Sequence, residues 1–161
     1  MTGTLAKTAA GSKLFIGGSN PTADPADLLA ESSWEEVGEV TNIPEFGLTY
    51  GKAEHKPLSS RQTYKFKTSF DGGSVQIDMA DAPSDDGQAA LVAALDADGS
   101  LNFKVEFNDA PAGASAHPTR ILFMGKVFSY RTNVGTTEGI IAARSMIEID
   151  GKPIRQAAAT S

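Results

Sequence analysis

Leu101-Asn102-Phe103-Lys104-Val105-Glu106-Phe107 alternates apolar and polar residues along its whole length. Successive side chains of an extended chain point to opposite faces, so this spacing gathers Leu101, Phe103, Val105 and Phe107 on one side of a β-strand. Asn102, Lys104 and Glu106 fall on the other side, and a half-buried strand is the expectation. Val75-Gln76-Ile77-Asp78-Met79 repeats the pattern. Tyr64-Lys65-Phe66-Lys67-Thr68-Ser69-Phe70 alternates aromatics with lysines before Asp71-Gly72-Gly73 supplies a turn into the next strand. Two further segments are apolar on both faces or nearly so, Ile121–Phe128 and Ile140–Ile149, the latter closed by Asp150-Gly151. They predict strands covered on both sides, by the domain's own helix, a second sheet or another subunit.

One helix stands out at about 85–97. Gln88, Leu91, Val92 and Leu95 fall at i, i+3, i+4 and i+7 and form one apolar stripe. Asp85 can cap its start, with Gln88 as the capping-box partner, and Gly99 stops it. A weaker helical turn is expected at Pro25–Leu29. The fold class is therefore mainly β, an antiparallel sandwich or barrel with one principal flanking helix, in a single domain.

Residues 1–12 and 155–161 are small and polar and read as an N-terminal arm and a C-terminal tail that need neighbours for order. Residues 41–63 lack clear periodicity and contain Pro44, Gly47, Gly51 and Pro57. A stretch this long without secondary structure is functional or disordered in a compact domain. Its apolar anchors Phe46, Leu48, Tyr50 and Leu58, with the charged Lys52, Glu54, His55, Lys56 and Arg61, favour a partner-binding arm over a passive loop.

The 161 residues carry 20 acidic against 14 basic side chains, a net charge of −6, which opposes tight non-specific binding to nucleic acid. A local basic strip would centre on Lys65 and Lys67. There are no cysteines, hence no disulfides, thiolate metal sites or cysteine nucleophiles. No apolar run is long enough to span a membrane or to act as a secretory leader, which points to synthesis and folding in a cytoplasm.

The sequence nominates no catalytic residue, metal ligand or cofactor. Asp96-Ala97-Asp98-Gly99-Ser100 opens like a calcium loop, but Leu101 and Phe107 stand where glycine and a bidentate glutamate are required. Gly135-Thr136-Thr137-Glu138-Gly139 lacks the Lys-Ser/Thr of a phosphate loop and reads as a hairpin turn. His55 and His117 lack partners at ligand or catalytic-triad spacing and read as surface residues. Asp85-Asp86 complements a helix dipole. A carbohydrate-binding sandwich would need an exposed aromatic platform, and Trp34, the one tryptophan, is flanked by acids.

The order of features is more specific than any one of them. After the N-terminal arm come Lys13-Leu14-Phe15-Ile16-Gly17, then Trp34-Glu35-Glu36-Val37-Gly38-Glu39-Val40, the long arm, and Asp71-Gly72-Gly73. Gly87-Gln88-Ala89-Ala90-Leu91 then opens the helix, and Gly125 to Asp150 precedes the closing Gly151-Lys152-Pro153-Ile154. From about Gly11 to Ile154 this order resembles the major tail tube proteins of long-tailed, non-contractile, lambda-like phages and of related gene transfer agents. The resemblance implies a tail-tube-like fold in homo-hexameric rings that stack into a hollow tube. Double-stranded DNA would pass through the lumen without specific binding, and tape-measure, tail-terminator and tail-tip proteins would be partners. The 41–63 arm would bridge subunits or rings, and Asp78 and Glu106 are candidates for acidic groups facing the lumen. The location would be the virion tail, assembled in the bacterial host cytoplasm. No C-terminal immunoglobulin-like decoration domain is expected. The alternative reading is a related ring-forming protein, a tube component of the secretion-system type or a tail-completion protein.

Overall fold

The computed structural model describes residues 5–160. In chain order the elements are β1 (Lys13–Ser19), α1 (Pro25–Ala30), β2 (Glu35–Val37), β3 (Val40–Asn42), β4 (Thr49–His55), β5 (Tyr64–Asp71), β6 (Ser74–Ala80), α2 (Asp86–Ala94), β7 (Leu101–Glu106), β8 (Arg120–Asn133) and β9 (Ala142–Gln156). A seven-stranded antiparallel sheet runs β2-β1-β7-β8-β9-β6-β3, and β4 and β5 form a separate hairpin.

The sheet is rolled, and the chain itself dictates the roll. β2 and β3 are its opposite edges, yet only Gly38 and Glu39 lie between Val37 and Val40. A two-residue link cannot cross a flat sheet of seven strands spaced about 4.8 Å apart, so the sheet must curl until its edges are a turn apart. Inside the roll sit Leu14, Ile16, Val75, Ile77, Met79, Phe103, Val105, Phe123 and Ile147, with Phe103 stacked on Phe123 at 5.4 Å.

α2 seals the seam between the two edges. Asp85 caps it, accepting from the Gln88 backbone N–H at 2.9 Å and from the Gly38 N–H at 3.0 Å. Gln88 does not close the expected capping box. Its buried amide nitrogen donates to the carbonyls of Gly38 and Ala80, each at 2.9 Å. Its oxygen accepts from the Ala82 N–H at 2.9 Å and the Tyr130 hydroxyl at 3.2 Å. The two donors and two acceptor sites of the amide are thus all used. Gly87 is needed beside it, because a Cβ there would overlap the Glu36 carbonyl oxygen and come within 2.6 Å of the Val37 Cα. The helix ends at Ala94, short of the predicted 97, and buries Gly87, Gln88, Leu91 and Ala94. Val92, expected on the stripe, faces solvent.

The outer face of the sheet is half covered. Around Leu28 of α1 lie Leu122 and Met124 of β8, with Trp34 and Ile154 against them. Over Ile121–Met124 of the predicted Ile121–Phe128 run, α1 lies outside and the core inside, but Phe128 at its end is exposed, so the two-sided cover stops short of it. β7 is therefore not half-buried, since Asn102 and Lys104 are buried as well. A lysine can be buried here because its ammonium sits 4.4 Å from the Phe15 ring centroid, 4.8 Å from that of Trp34, and 2.7 Å from Glu106. Trp34 is half-buried under that cation and offers no open sugar platform.

Three other expectations are corrected. Ile140 and Ile141 precede β9 and are exposed, and Arg144 and Glu148 also face out, so only one face of β9 is apolar there. Of the predicted N-terminal arm, residues 1–4 lie outside the described residues, as does Ser161 of the tail. The described part of the tail is ordered by its own chain. β9 continues to Gln156, Ala159 bridges to His117, and the Ala158 N–H donates to the Thr119 hydroxyl. The N-terminal stretch is held by Asn108, whose side chain donates to the Ala10 carbonyl at 3.2 Å.

α1 is fastened by Glu31. Burial works against its charge, but hydrogen bonds from the Ser33 hydroxyl, the Asn102 amide and the Ser33 and Gly18 N–H groups together outweigh it. They hold its carboxyl at about 2 against an ordinary 4.5. A folded-state value below the unfolded one gives stability that is complete above pH 4.5 and lost as the pH falls toward 2. In urea titrations across this range, Glu31→Gln is expected to flatten the acid loss of stability seen in the wild-type chain. The seam has its own test. Gln88→Leu keeps the volume but strands two carbonyls and an N–H, and it is expected to cost about 3 kcal/mol by urea denaturation.

Candidate assembly surfaces

The stretch that lacks periodicity in sequence is half regular in structure. Thr49–His55 is β4, paired antiparallel with β5 from Thr49↔Asp71 out to His55↔Tyr64. Every residue of both strands is exposed, so the hairpin projects from the body as an arm with two open faces. Phe46 and Leu48 do not belong to its free part. Both are half-buried, and Phe46 packs on Phe123 at 5.6 Å, rooting the arm in the core. Tyr50, Lys52, Glu54, His55, Lys56, Leu58 and Arg61 are exposed, with Leu58 fully so in the loop at the tip.

A bulge sorts the arm's side chains. Between Tyr50↔Phe70 and Lys52↔Lys67, β4 advances two residues and β5 three. The extra residue brings Phe70 onto the face of Tyr50, Lys52, Glu54, Lys65 and Lys67. The Lys67 ammonium lies 5.0 Å from the Tyr50 ring centroid, Tyr50 and Phe70 meet edge to face at 6.0 Å, and Lys52 pairs with Glu54 at 2.9 Å. The reverse face carries Ala53, His55, Tyr64 and Phe66. A two-stranded hairpin is at best marginal alone, and one that exposes Phe66 at 57% and Phe70 at 49% has unburied apolar surface on both sides. Tyr64, Phe66 and Phe70 were not expected among the arm residues. The signal for them was their alternation with Lys65 and Lys67, which is that of a strand with no buried side.

The second surface is the uncovered half of the sheet's outer face. Gln76, Asp78, Ser129, Arg131, Arg144 and Met146 line a concavity of ≈ 660 Å³ there. Asp78 accepts from the Arg144 Nε at 2.8 Å, and Lys126 pairs with Asp150 at 3.5 Å. The three cations of this face, Lys126, Arg131 and Arg144, are matched by three anions, Asp78, Glu148 and Asp150. Glu106 is not beside Asp78. It lies three strands away on β7, at the α1-covered half, paired with Lys104. The structure does not bring the two candidate lumen acids together. Among the described residues, no group of three or more His, Cys, Asp or Glu is arranged to hold a metal ion, and no helix is long and apolar enough to cross a membrane.

No family model matches this sequence, and no curated protein does. Solved structures do. The sheath/tube terminator of PVC, an extracellular contractile injection system, in its extended state matches with a TM-score of 0.69 at 8% identity, over 96% of this chain and 99% of that one. The SPP1 tail tube matches at 0.64 and 13% identity, over 93% and 78%. The tail of an empty GTA particle, refined helically with C6 symmetry, matches at 0.65 and 12% identity, over 94% and 100%. The chain has the tail-tube fold. At such identities the likeness is one of fold, and it extends over nearly the whole chain.

Because the tail-tube core is complete without the arm, the exposed side chains of the arm are expected to contribute little to folding. Leu58→Ser and Phe66→Ser should each shift stability by no more than about 0.5 kcal/mol in thermal or urea unfolding.

Proposed function

We propose that this chain is a structural, non-catalytic subunit of a phage-like tail tube. Six copies close into a ring, rings stack, and double-stranded DNA passes through the lumen. The observation that carries this reading is the β4–β5 arm, an aromatic hairpin with no cover on either face, projecting from a tail-tube fold. Such an arm gains from burial against further copies, and the C6 symmetry of the GTA tail supports six copies per ring.

In this reading Tyr50, Lys52, Glu54, His55, Lys56, Leu58 and Arg61 make the contacts between subunits or rings. Phe46 and Leu48 set the arm's root. The open face with Asp78 lines the lumen. There the expected acidic wall becomes a balanced one, in which Asp78 and Asp150 neutralise Arg144 and Lys126 and leave phosphate few free cations. Sliding DNA then meets little electrostatic friction, because neutralising phosphates is what drives its binding. Glu106 acts inside the subunit by compensating Lys104. The location is the virion tail, filled and ended by tape-measure, tail-tip and tail-terminator partners after assembly in the host cytoplasm.

A terminator is the second reading, favoured by the likeness to the PVC sheath/tube terminator. The two differ in growth. A tube subunit polymerises, whereas a terminator stops at one ring. Negative-stain electron microscopy of the concentrated protein is expected to show tubes. Replacing residues 51–69 by Asn-Gly joins the facing Tyr50 and Phe70 through a hairpin turn. This variant is expected to keep the wild-type circular dichroism and to stop at rings. Single wild-type rings would select the terminator, and monomers at every concentration would refute both.

A further inference from the structure

The arm and the body carry opposite charge. Residues 49–71 hold five cations, Lys52, Lys56, Arg61, Lys65 and Lys67, against Glu54 and Asp71, a net +3 that leaves −9 on the rest of a chain whose total is −6. Within the arm only Lys52 has an ion-pair partner among the described residues. Glu54 stands across from Lys65 but pairs with Lys52, so Lys65 and Lys67 have no ion-pair partner among the described residues on the face that also presents Tyr50 and Phe70.

Six of the eighteen acids outside the arm lie near where the seam closes. The hydrogen bonds from Gly38 to Asp85 and from Gln88 to Gly38 and Ala80 draw β2, the Gly38-Glu39 turn and the start of α2 together. Glu35, Glu36, Glu39, Asp81, Asp85 and Asp86 thereby lie along one edge of the roll, an acidic shoulder, with Glu36 turned to the outer face of β2 and Glu35 to the other. Lys13, 3.5 Å from Glu36, is the one cation paired to it among the described residues, and Glu35, Glu39 and Asp86 are exposed. No ion pair joins the arm to this shoulder within the chain as described.

We infer that the cation–aromatic face of the arm docks on the acidic shoulder of a second copy of this chain, through Lys65 and Lys67 against Glu35 and Glu39. The inference rests on the tube reading and adds the receiving surface and its control by ionic strength. A contact between one patch and a different patch of an identical molecule is heterologous, which is the geometry that continues from copy to copy instead of closing as a pair. Charge complementarity selects the occupant. A chain of net −6 repels copies of itself over most of its surface, so an approach that leads with the basic arm onto the acidic shoulder is the favoured one. Tyr50 and Phe70 then lose their exposed area in the same contact.

The test is charge reversal and exchange in the full chain, read by sedimentation velocity and negative stain. Wild-type stacking is expected to weaken as salt rises from about 0.05 M to about 0.5 M, where screening shortens from about 14 to about 4 Å. Lys65→Glu/Lys67→Glu and Glu35→Lys/Glu39→Lys should each raise the concentration needed for stacking about tenfold or more, with circular dichroism unchanged. Combining all four should restore stacking. Tubes that form equally well in both double variants, or a quadruple variant no better than either, would overturn the docking and leave the tube reading standing. A wild-type chain that never assembles would overturn both. Duplex DNA shifted in a gel by the wild type but not by the arm variant, with tubes intact in both, would make the arm a phosphate contact and overturn the docking.

Discussion

The architecture hangs on one buried amide. A sheet whose two edges are joined by two residues is forced into a roll, but the roll leaves a seam, because β2 and β3 do not pair with each other. At that seam the Gly38 and Ala80 carbonyls and the Ala82 N–H would be left without partners inside the protein, a deficit of about 1–3 kcal/mol each. Gln88 meets all three from one side chain, and the Tyr130 hydroxyl takes its last acceptor position. Leu91 and Ala94 then fall into the core because Gln88 has set the rotation of the helix, and Gly87 lets it approach the β2 backbone.

Closing the seam determines which surfaces remain free. An open sheet has two edges able to recruit foreign strands, whereas here both edges are three-residue strands brought together beside a helix. On the outer face α1 covers one half, fastened by Glu31 to Asn102 and the Gly18 N–H. What stays available is the other half of that face and the hairpin that the roll excludes. The candidate assembly surfaces are thus what is left over once the fold has satisfied itself, and their chemistry differs for that reason. The open half-face is mostly polar, with Arg144 and Lys126 paired to Asp78 and Asp150. The arm is aromatic and carries free cations.

Sequence reading succeeded where burial imposes a period and failed where it does not. Leu101–Phe107 reveals a strand because Phe103 and Val105 must alternate with residues outside the core. That same alternation misjudged its polar side, since no local pattern discloses that Phe15 and Trp34, from distant parts of the chain, lie over Lys104. β4 was invisible for the complementary reason. With both faces in water, Thr49–His55 has no apolar period to read, although its partner β5 alternates. Gln88 was placed on the correct helix in the wrong role, because its partners Gly38 and Tyr130 lie about fifty and forty residues away. The candidate arm was legible as an anomaly, apolar residues in a stretch without order. Its split into a root at Phe46 and Leu48 and a free hairpin beyond Tyr50 required the core to be seen.

The charge of the chain acquires a different meaning once it is divided. Read as a single number, −6 suits a conduit that must not hold DNA, and it would predict an acidic channel. Divided by surface, the open half-face is balanced, and about half of the body's excess negative charge lies beside the seam, opposite in sign to the arm. A balanced wall suffices for passage, since phosphate binding is driven by unpaired cations and Arg144 and Lys126 are already paired. The acidic excess is then free to serve contacts between copies, where its range is limited to about 8–10 Å at ordinary salt and it acts only on a partner already close. In the proposed tube, separating the charge that would face DNA from the charge that would face another subunit would let one small domain assemble without gripping what moves through it.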